Sequence, residues 1–272
     1  MKWGILAGQG LLPLEVAKGM RNSAIEPVVL CLADNVELFK EEGLTIGQEN
    51  LGQLGSILRF FIDHKVNRLV MAGKVSKESL FSRTGIDQDL LTLFSKLEKK
   101  NDDSIQLAIV HYFEAAGITV EKQTTFLTHL IPENGLLAGS SLNEQEKEDV
   151  KLGYKIAKEM GGLDIGQSAV VKKGMVLAVE AVEGTDQTIL RGGQLGGDGA
   201  VVVKVAKPQQ DLRFDVPAIG LTTLKALIAS KARVLAVQAG VTFIMEKEKF
   251  LEQAERQGIS VIALDDLTII DK

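Results

Sequence analysis

The sequence predicts an α/β protein of two domains, a Rossmann-like parallel-sheet domain followed by a second α/β domain. Three observations carry this expectation. Through the first half, short apolar runs alternate with stretches of helical periodicity, the pattern of a parallel sheet with crossover helices. The opening run feeds a glycine turn, Gly8-Gln9-Gly10, and then a helix. Beyond residue 132 the apolar pattern weakens, and when it returns it has a different texture. We expect residues 1–132 as the first domain, 133–147 as a linker and 148–272 as the second domain.

Element by element, Trp3 to Ala7 is a strand and the stretch through Met20 is its helix. Pro27 to Ala33 reads as a second buried strand ending at Asp34. Leu54, Ile57, Leu58 and Phe61 recur at helical spacing before a third strand, Arg68 to Ala72. Asn101 can cap a helix whose first turn holds Asp102 and Asp103 and whose buried stripe is Ile105, Ile109, Tyr112 and Phe113; the strand Ile118 to Val120 follows. Asn134-Gly135, Gly139-Ser140-Ser141 and the charged stretch from Glu144 to Asp149 mark the linker. In the second half Val170-Val171, Met175 to Val182 and Ala200 to Val205 read as strands. Leu221, Leu224, Leu227 and Ile228 form a helix stripe. Val234 to Val237 and Ile259 to Ala263 read as strands around a charged helix at 246–256.

Composition narrows the function. Of 272 residues 45% are apolar and 25% charged, which excludes intrinsic disorder. Lys plus Arg is 31 against 36 for Asp plus Glu, net −5, with no basic run, so no nucleic-acid partner is expected. The single cysteine, Cys31, permits no intrachain disulfide and no Cys-based zinc site, and it sits in an apolar strand as a small core residue. Gly8, Gln9 and Gly10 interrupt the apolar start, which reads as a strand rather than a signal peptide. No segment reaches the roughly 18 apolar residues of a membrane-spanning helix. A cytoplasmic location is the expectation.

Four places could carry chemistry. At Gly8-Gln9-Gly10 a strand-to-helix turn aims backbone N–H groups and a positive helix end at a phosphate or nucleotide, or is only a tight turn. Pro13 stands where a dinucleotide fingerprint has its third glycine, although Asp34 occupies the place of the ribose-binding acid. Lys74 follows the third strand at its carboxyl end, within reach of an anionic ligand or solvated on a loop; Arg68 at the head of that segment rules out a Walker loop. Asp103, with Asp102, either contacts a metal or ligand or answers the helix dipole. The densest signal comprises Glu183-Gly184-Thr185-Asp186, Arg191, and Lys207 through Pro217 with Gln210, Asp211, Arg213 and Asp215. Carboxylates beside Lys and Arg on loops suit a divalent cation held by oxygen ligands while cations hold phosphate oxygens, the equipment of phosphoryl-type hydrolysis; a surface salt-bridge network is the plain alternative. Phe214 and Val216 around Asp215 predict a buried strand there. His64, His111 and His129 stand singly without metal-ligand spacing, and no GxSxG elbow is present.

These residues resemble the LpxI family of UDP-2,3-diacylglucosamine pyrophosphatases of lipid A biosynthesis. The likeness spans nearly the whole chain and rests on Gly4 through Pro13, Asn101-Asp102-Asp103, Glu183-Gly184-Thr185-Asp186 and, above all, Lys207-Pro208 through Gly220. It implies two domains with the active site between them. It implies Mg²⁺-dependent (or Mn²⁺-dependent) attack of water on the α-phosphorus of the UDP-sugar lipid, releasing UMP and 2,3-diacylglucosamine 1-phosphate. The family's essential aspartate matches Asp215, which is expected to hold the cation or orient the water. Lys207 and Arg213 are expected to neutralise the diphosphate, with Glu183 and Asp186 as further catalytic candidates. Thr185, Gln210 and Asp211, together with Gly8, Gln9, Gly10, Lys74 and Asp103, would bind substrate.

A lipid-linked substrate implies transient contact with the inner face of the inner membrane, for which Lys96, Lys99 and Lys100 beside Leu93, Phe94 and Leu97 are one candidate surface. A homodimer is compatible with the sequence. Two rival readings stand beside this one: a nicotinamide-dependent oxidoreductase, from Gly8, Gly10 and Asp34, and a nucleotide-sugar-binding protein without catalysis.

Overall fold

The computed structural model of the chain describes residues 1–32, 36–40, 43–75, 85–97 and 102–265. Asp34, Lys99, Lys100 and Asn101, and the side chain of Asp102, lie outside that description. The chain forms two compact units, one of Met1–Leu127 with Leu212–Asp215, the other of Thr128–Asp211 with Val216–Lys272.

The first unit is a five-stranded parallel sheet, β1 (Trp3–Ala7), β2 (Val28–Cys31), β3 (Thr45–Gln48), β4 (Arg68–Ala72) and β5 (Thr119–Glu121), in the order β3-β2-β1-β4-β5. The strand order reverses between β1 and β4, the place where open α/β sheets leave a crevice at their carboxyl ends. β1 is central and buried along its whole length, which explains its unbroken apolar run. Helices Leu54–Asp63, Gln88–Ser95 and Asp102–Ala115 supply Leu54, Ile57, Phe61, Leu90, Ile109 and Phe113 to the core on one face. The Phe61 ring lies so close to the sheet that a side chain at Gly4 would meet it at 2.8 Å. The helix Leu12–Asn22 begins with proline in its first turn, where a missing N–H costs nothing.

The second unit holds a six-stranded mixed sheet in the order β6-β13-β11-β9-β7-β8: β6 (Gly135–Ala138), β7 (Ser168–Lys172), β8 (Met175–Val179), β9 (Val201–Lys204), β11 (Val234–Gln238) and β13 (Ser260–Leu264). β9, β11 and β13 are parallel, and β6, β7 and β8 add antiparallel edges. A separate parallel pair joins β10 (Ala218–Ile219) to β12 (Phe243–Ile244). Among the described residues no helix is long and apolar enough to cross a membrane.

Four expectations need correction. Residues 133–147 are not a linker: they provide β6, paired to β13, and the start of the helix Glu144–Gly162. That helix opens with a capping box in which the Asn143 side chain accepts from the Glu146 N–H at 2.9 Å and the Glu146 carboxylate accepts from the Asn143 N–H at 2.8 Å. The charged residues are its first turns. β3, which the sequence reading lacks, is an edge strand with little buried surface, so its apolar signal is weak. Residues 211–217 form no strand, and Leu212–Asp215 pack with the first unit although they lie deep in the second half of the chain.

Candidate active site

The carboxyl ends of β1 and β4 are clamped together. Gly8 N–H donates to the Ala72 carbonyl at 2.8 Å, Gln9 N–H to the Lys74 carbonyl at 2.7 Å, and Lys74 N–H back to the Gln9 carbonyl at 3.0 Å, an antiparallel bridge at the exit of a parallel pair. Only glycine permits this approach. A Cβ on Gly8 would lie 2.6 Å from the Lys74 carbonyl oxygen, and one on Gly73, whose φ is +90°, would lie 2.7 Å from that of Gln9. The Gly8 and Gln9 N–H groups are thus spent within the protein, so the turn contributes shape where the sequence suggested a row of phosphate donors. Gly10, at φ +93°, is an open turn residue.

Beside this clamp lies a cavity of about 330 Å³. Its walls are mainly apolar, with Leu6, Leu32, Leu51, Met71, Ile105, Ile109 and Phe214 among them, and its polar lining comes from Lys74, Gln106, Gln123 and Asp215. Three of the residues singled out from sequence, Gly8, Lys74 and Asp215, therefore meet on one cavity from positions far apart in the chain. Asp103 sits one turn before Gln106 on the helix that forms a wall.

Asp215 is carried by a short loop that docks on the first unit. Phe214 packs against its apolar cluster, Arg213 pairs with Glu114 at 3.1 Å, and the Leu212 carbonyl accepts the Gln123 N–H at 2.9 Å. Gln123 is buried, and its Nε2 donates to the carbonyls of Met71 at 2.7 Å and Phe214 at 3.3 Å. Sequence reasoning missed Gln106 and Gln123, since neither belongs to a motif. A lone polar residue beside an apolar helix stripe, as at Gln106, is the one trace it leaves.

The remaining candidates lie in the second unit, in two groups. Around the start of the helix Thr185–Gly196, the Thr185 hydroxyl donates to Glu180 at 2.9 Å and accepts from the Lys204 ammonium at 2.8 Å. Lys204 is buried at the carboxyl end of β9, and such a cation needs partners of this kind. Asp186 accepts from the Thr223 hydroxyl at 2.9 Å. Exposed Glu183 pairs with Arg191, and its own backbone N–H and that guanidinium hold its carboxyl below the ordinary 4.5. The second group is the turn Lys207–Gln210. Lys207 pairs with Asp164 at 2.6 Å, and Gln210 accepts the Lys207 N–H at 2.6 Å while its Nε2 is buried without a partner among the described residues. Lys207 and Arg213, expected to face a diphosphate, each hold a carboxylate of this chain. Asp211 is the last residue of the second unit before the Leu212–Asp215 segment.

Among the described residues no group of three or more His, Cys, Asp and Glu side chains is placed to hold a metal ion, and Asp215 is the carboxylate on the cavity wall. One carboxylate fits a Mg²⁺ ion that draws its other oxygens from water and substrate phosphates, the usual mode for this cation; it does not fit a protein-only cage.

The chain is similar to known proteins over nearly all of its length. The LpxI N-terminal domain matches residues 2–130 and the LpxI C-terminal domain residues 133–262. A Caulobacter vibrioides protein named UDP-2,3-diacylglucosamine pyrophosphatase LpxI is 28% identical over 276 residues, covering 97% of this chain and 98% of that protein.

Proposed function

Because the chain belongs to the LpxI family, we propose that it hydrolyses the diphosphate of UDP-2,3-diacylglucosamine, a step of lipid A biosynthesis, by attack of water on the α-phosphorus. The products are UMP and 2,3-diacylglucosamine 1-phosphate. One observation supports this reading above others: Gly8, Lys74 and Asp215, from three distant stretches, converge on one largely apolar cavity at the switch point of a parallel sheet.

In this reading Asp215 accepts a hydrogen bond from the attacking water and orients it, or contributes one oxygen to a Mg²⁺ or Mn²⁺ ion. When bound, that ion supplies positive charge to the phosphoryl oxygens. The Lys74 ammonium offsets charge developing on the diphosphate. The clamp of Gly8 and Gln9 on Lys74 holds the lysine backbone in place, so little reorganisation is required during reaction. Arg213 serves first as the anchor of the Asp215 loop through Glu114, and Glu183, Thr185, Asp186, Lys207, Gln210 and Asp211 are candidates for polar contact with substrate. The apolar walls suit a hydrocarbon part of the substrate. Access to a lipid substrate places the enzyme transiently at the cytoplasmic face of the inner membrane.

The test is turnover in oxygen-18 water with and without Mg²⁺. Label in UMP and loss of rate on chelation are expected. Label in the sugar phosphate would overturn the assignment of the attacked phosphorus, and full rate in chelator would remove the metal. Asp215→Asn is expected to keep the wild-type melting temperature and lower kcat by about 10²–10⁴-fold; undiminished UMP release would remove Asp215 from the mechanism.

A further inference from the structure

We infer that Gln123 is a positioning residue that fixes Asp215 relative to β4, the strand that leads to Lys74. The inference rests on the reading of Asp215 given above. β5 pairs with β4 as far as Glu121 opposite Val70 and then ends. The next carbonyl along β4, that of Met71, is taken by the side chain of Gln123 at 2.7 Å. The same Nε2 donates to the carbonyl of Phe214 at 3.3 Å, and the Gln123 backbone N–H donates to Leu212 at 2.9 Å. Both hydrogens of one amide therefore join two carbonyls: one lies three residues before Lys74 and the other immediately before Asp215.

The chemistry of the residue is specific to this task. The two carbonyl acceptors are met here by two donors on one nitrogen, which glutamine offers and glutamate or leucine does not. Gln123 is 4% exposed and its bond to Met71 is buried, so removing the amide leaves the Met71 carbonyl short of a buried partner. Its reach across 91 residues of sequence to Phe214 links the two parts of the chain that bring opposite charges to the cavity wall. The Arg213–Glu114 pair and the packing of the Phe214 ring on the apolar cluster hold the loop as well. Gln123 ties the loop to that strand through the Met71 and Phe214 carbonyls.

The experiment uses the full-length protein and the variants Gln123→Leu and Gln123→Asn, each also in the Asp215→Asn background. Steady-state UMP release and backbone hydrogen exchange are measured for all of them. Gln123→Leu is expected to lower kcat by about 10- to 100-fold, the cost of roughly an ångström of misplacement, with KM nearly unchanged. Gln123→Asn, one methylene shorter, is expected to fall between it and the wild type, and provides the test should the leucine variant fail to fold. In the Asp215→Asn background the substitution should change the residual rate no further, as for two residues acting as one unit. Exchange should rise at residues 212–216. A kcat within twofold of wild type, the same fractional loss with and without Asp215, or unaltered exchange at 212–216 would each overturn the inference. If the wild type and Asp215→Asn release UMP equally, the assignment of Asp215 fails instead, and exchange at the loop still reports whether Gln123 holds it.

Discussion

Gly8→Ala is the substitution whose cost the geometry states most directly. The added methyl carbon would stand 2.6 Å from the Lys74 carbonyl oxygen and 2.9 Å from the Gly73 carbonyl carbon, both backbone atoms that cannot swing aside as a side-chain tip can. Relief requires the β1 and β4 exits to part. That breaks the Gln9–Lys74 bridge, two hydrogen bonds of 2.7 and 3.0 Å, and strains the Gly8–Ala72 bond of 2.8 Å. At about 1 kcal/mol for each bond, and a similar amount for overpacking, the loss is about 2–4 kcal/mol. For a unit of this size a kilocalorie corresponds to about 4 °C, so the unfolding transition of the first unit should fall by roughly 8–16 °C in calorimetry. Gly10→Ala is the internal control. Gly10 has no neighbour within 4 Å of its added Cβ, and only its positive φ opposes the change, which costs about 1 kcal/mol. If both variants melt together, or if Gly8→Ala melts as the wild type does, the clamp is not what the strand exits depend on.

Three further outcomes are expected. Glu114→Ala removes the partner of Arg213 at a part-exposed pair, so stability should change by less than about 1 kcal/mol; if Arg213 acts as a loop anchor, Glu114→Ala and Arg213→Ala should reduce UMP release alike, whereas an Arg213 that contacts phosphate would leave Glu114→Ala active. Glu183, held below 4.5 by its own backbone N–H and by Arg191, contributes stability at neutral pH that disappears as pH falls through its folded value; carbon NMR should find its midpoint below 4.5, and Arg191→Ala should raise it. The Cys31 thiol is buried in β2 and pushed up to about 11, so the native protein should resist alkylation at pH 8 and the unfolded protein should not.

Much of the first unit was legible because its strands are buried on both faces and announce themselves as apolar runs. The apolar runs Arg68 to Ala72 and Trp3 to Ala7 coincide with β4 and β1. β3 escaped because an edge strand needs little apolar surface. The helix Glu144–Gly162 was masked by its charged opening turns, although Asn143 and Glu146 carry a capping box and Val150, Tyr154 and Ala157 its buried stripe. At the candidate site, residue type and loop position pointed to Gly8, Lys74 and Asp215 separately. Their meeting depends on a loop crossing back to the first unit, and no local signal encodes that. Gln123 was invisible for the same reason: its meaning lies in two carbonyls distant in sequence.

The return of Leu212–Asp215 to the first unit means that a cut at residue 132 would divide that unit. A fragment ending there would lose Phe214 from its apolar cluster and leave the Gln123 amide facing absent acceptors. Gene fusions, split reporters or circular permutants of this protein must keep that tetrapeptide tethered to the early sequence, because four late-synthesised residues finish what the first 127 begin.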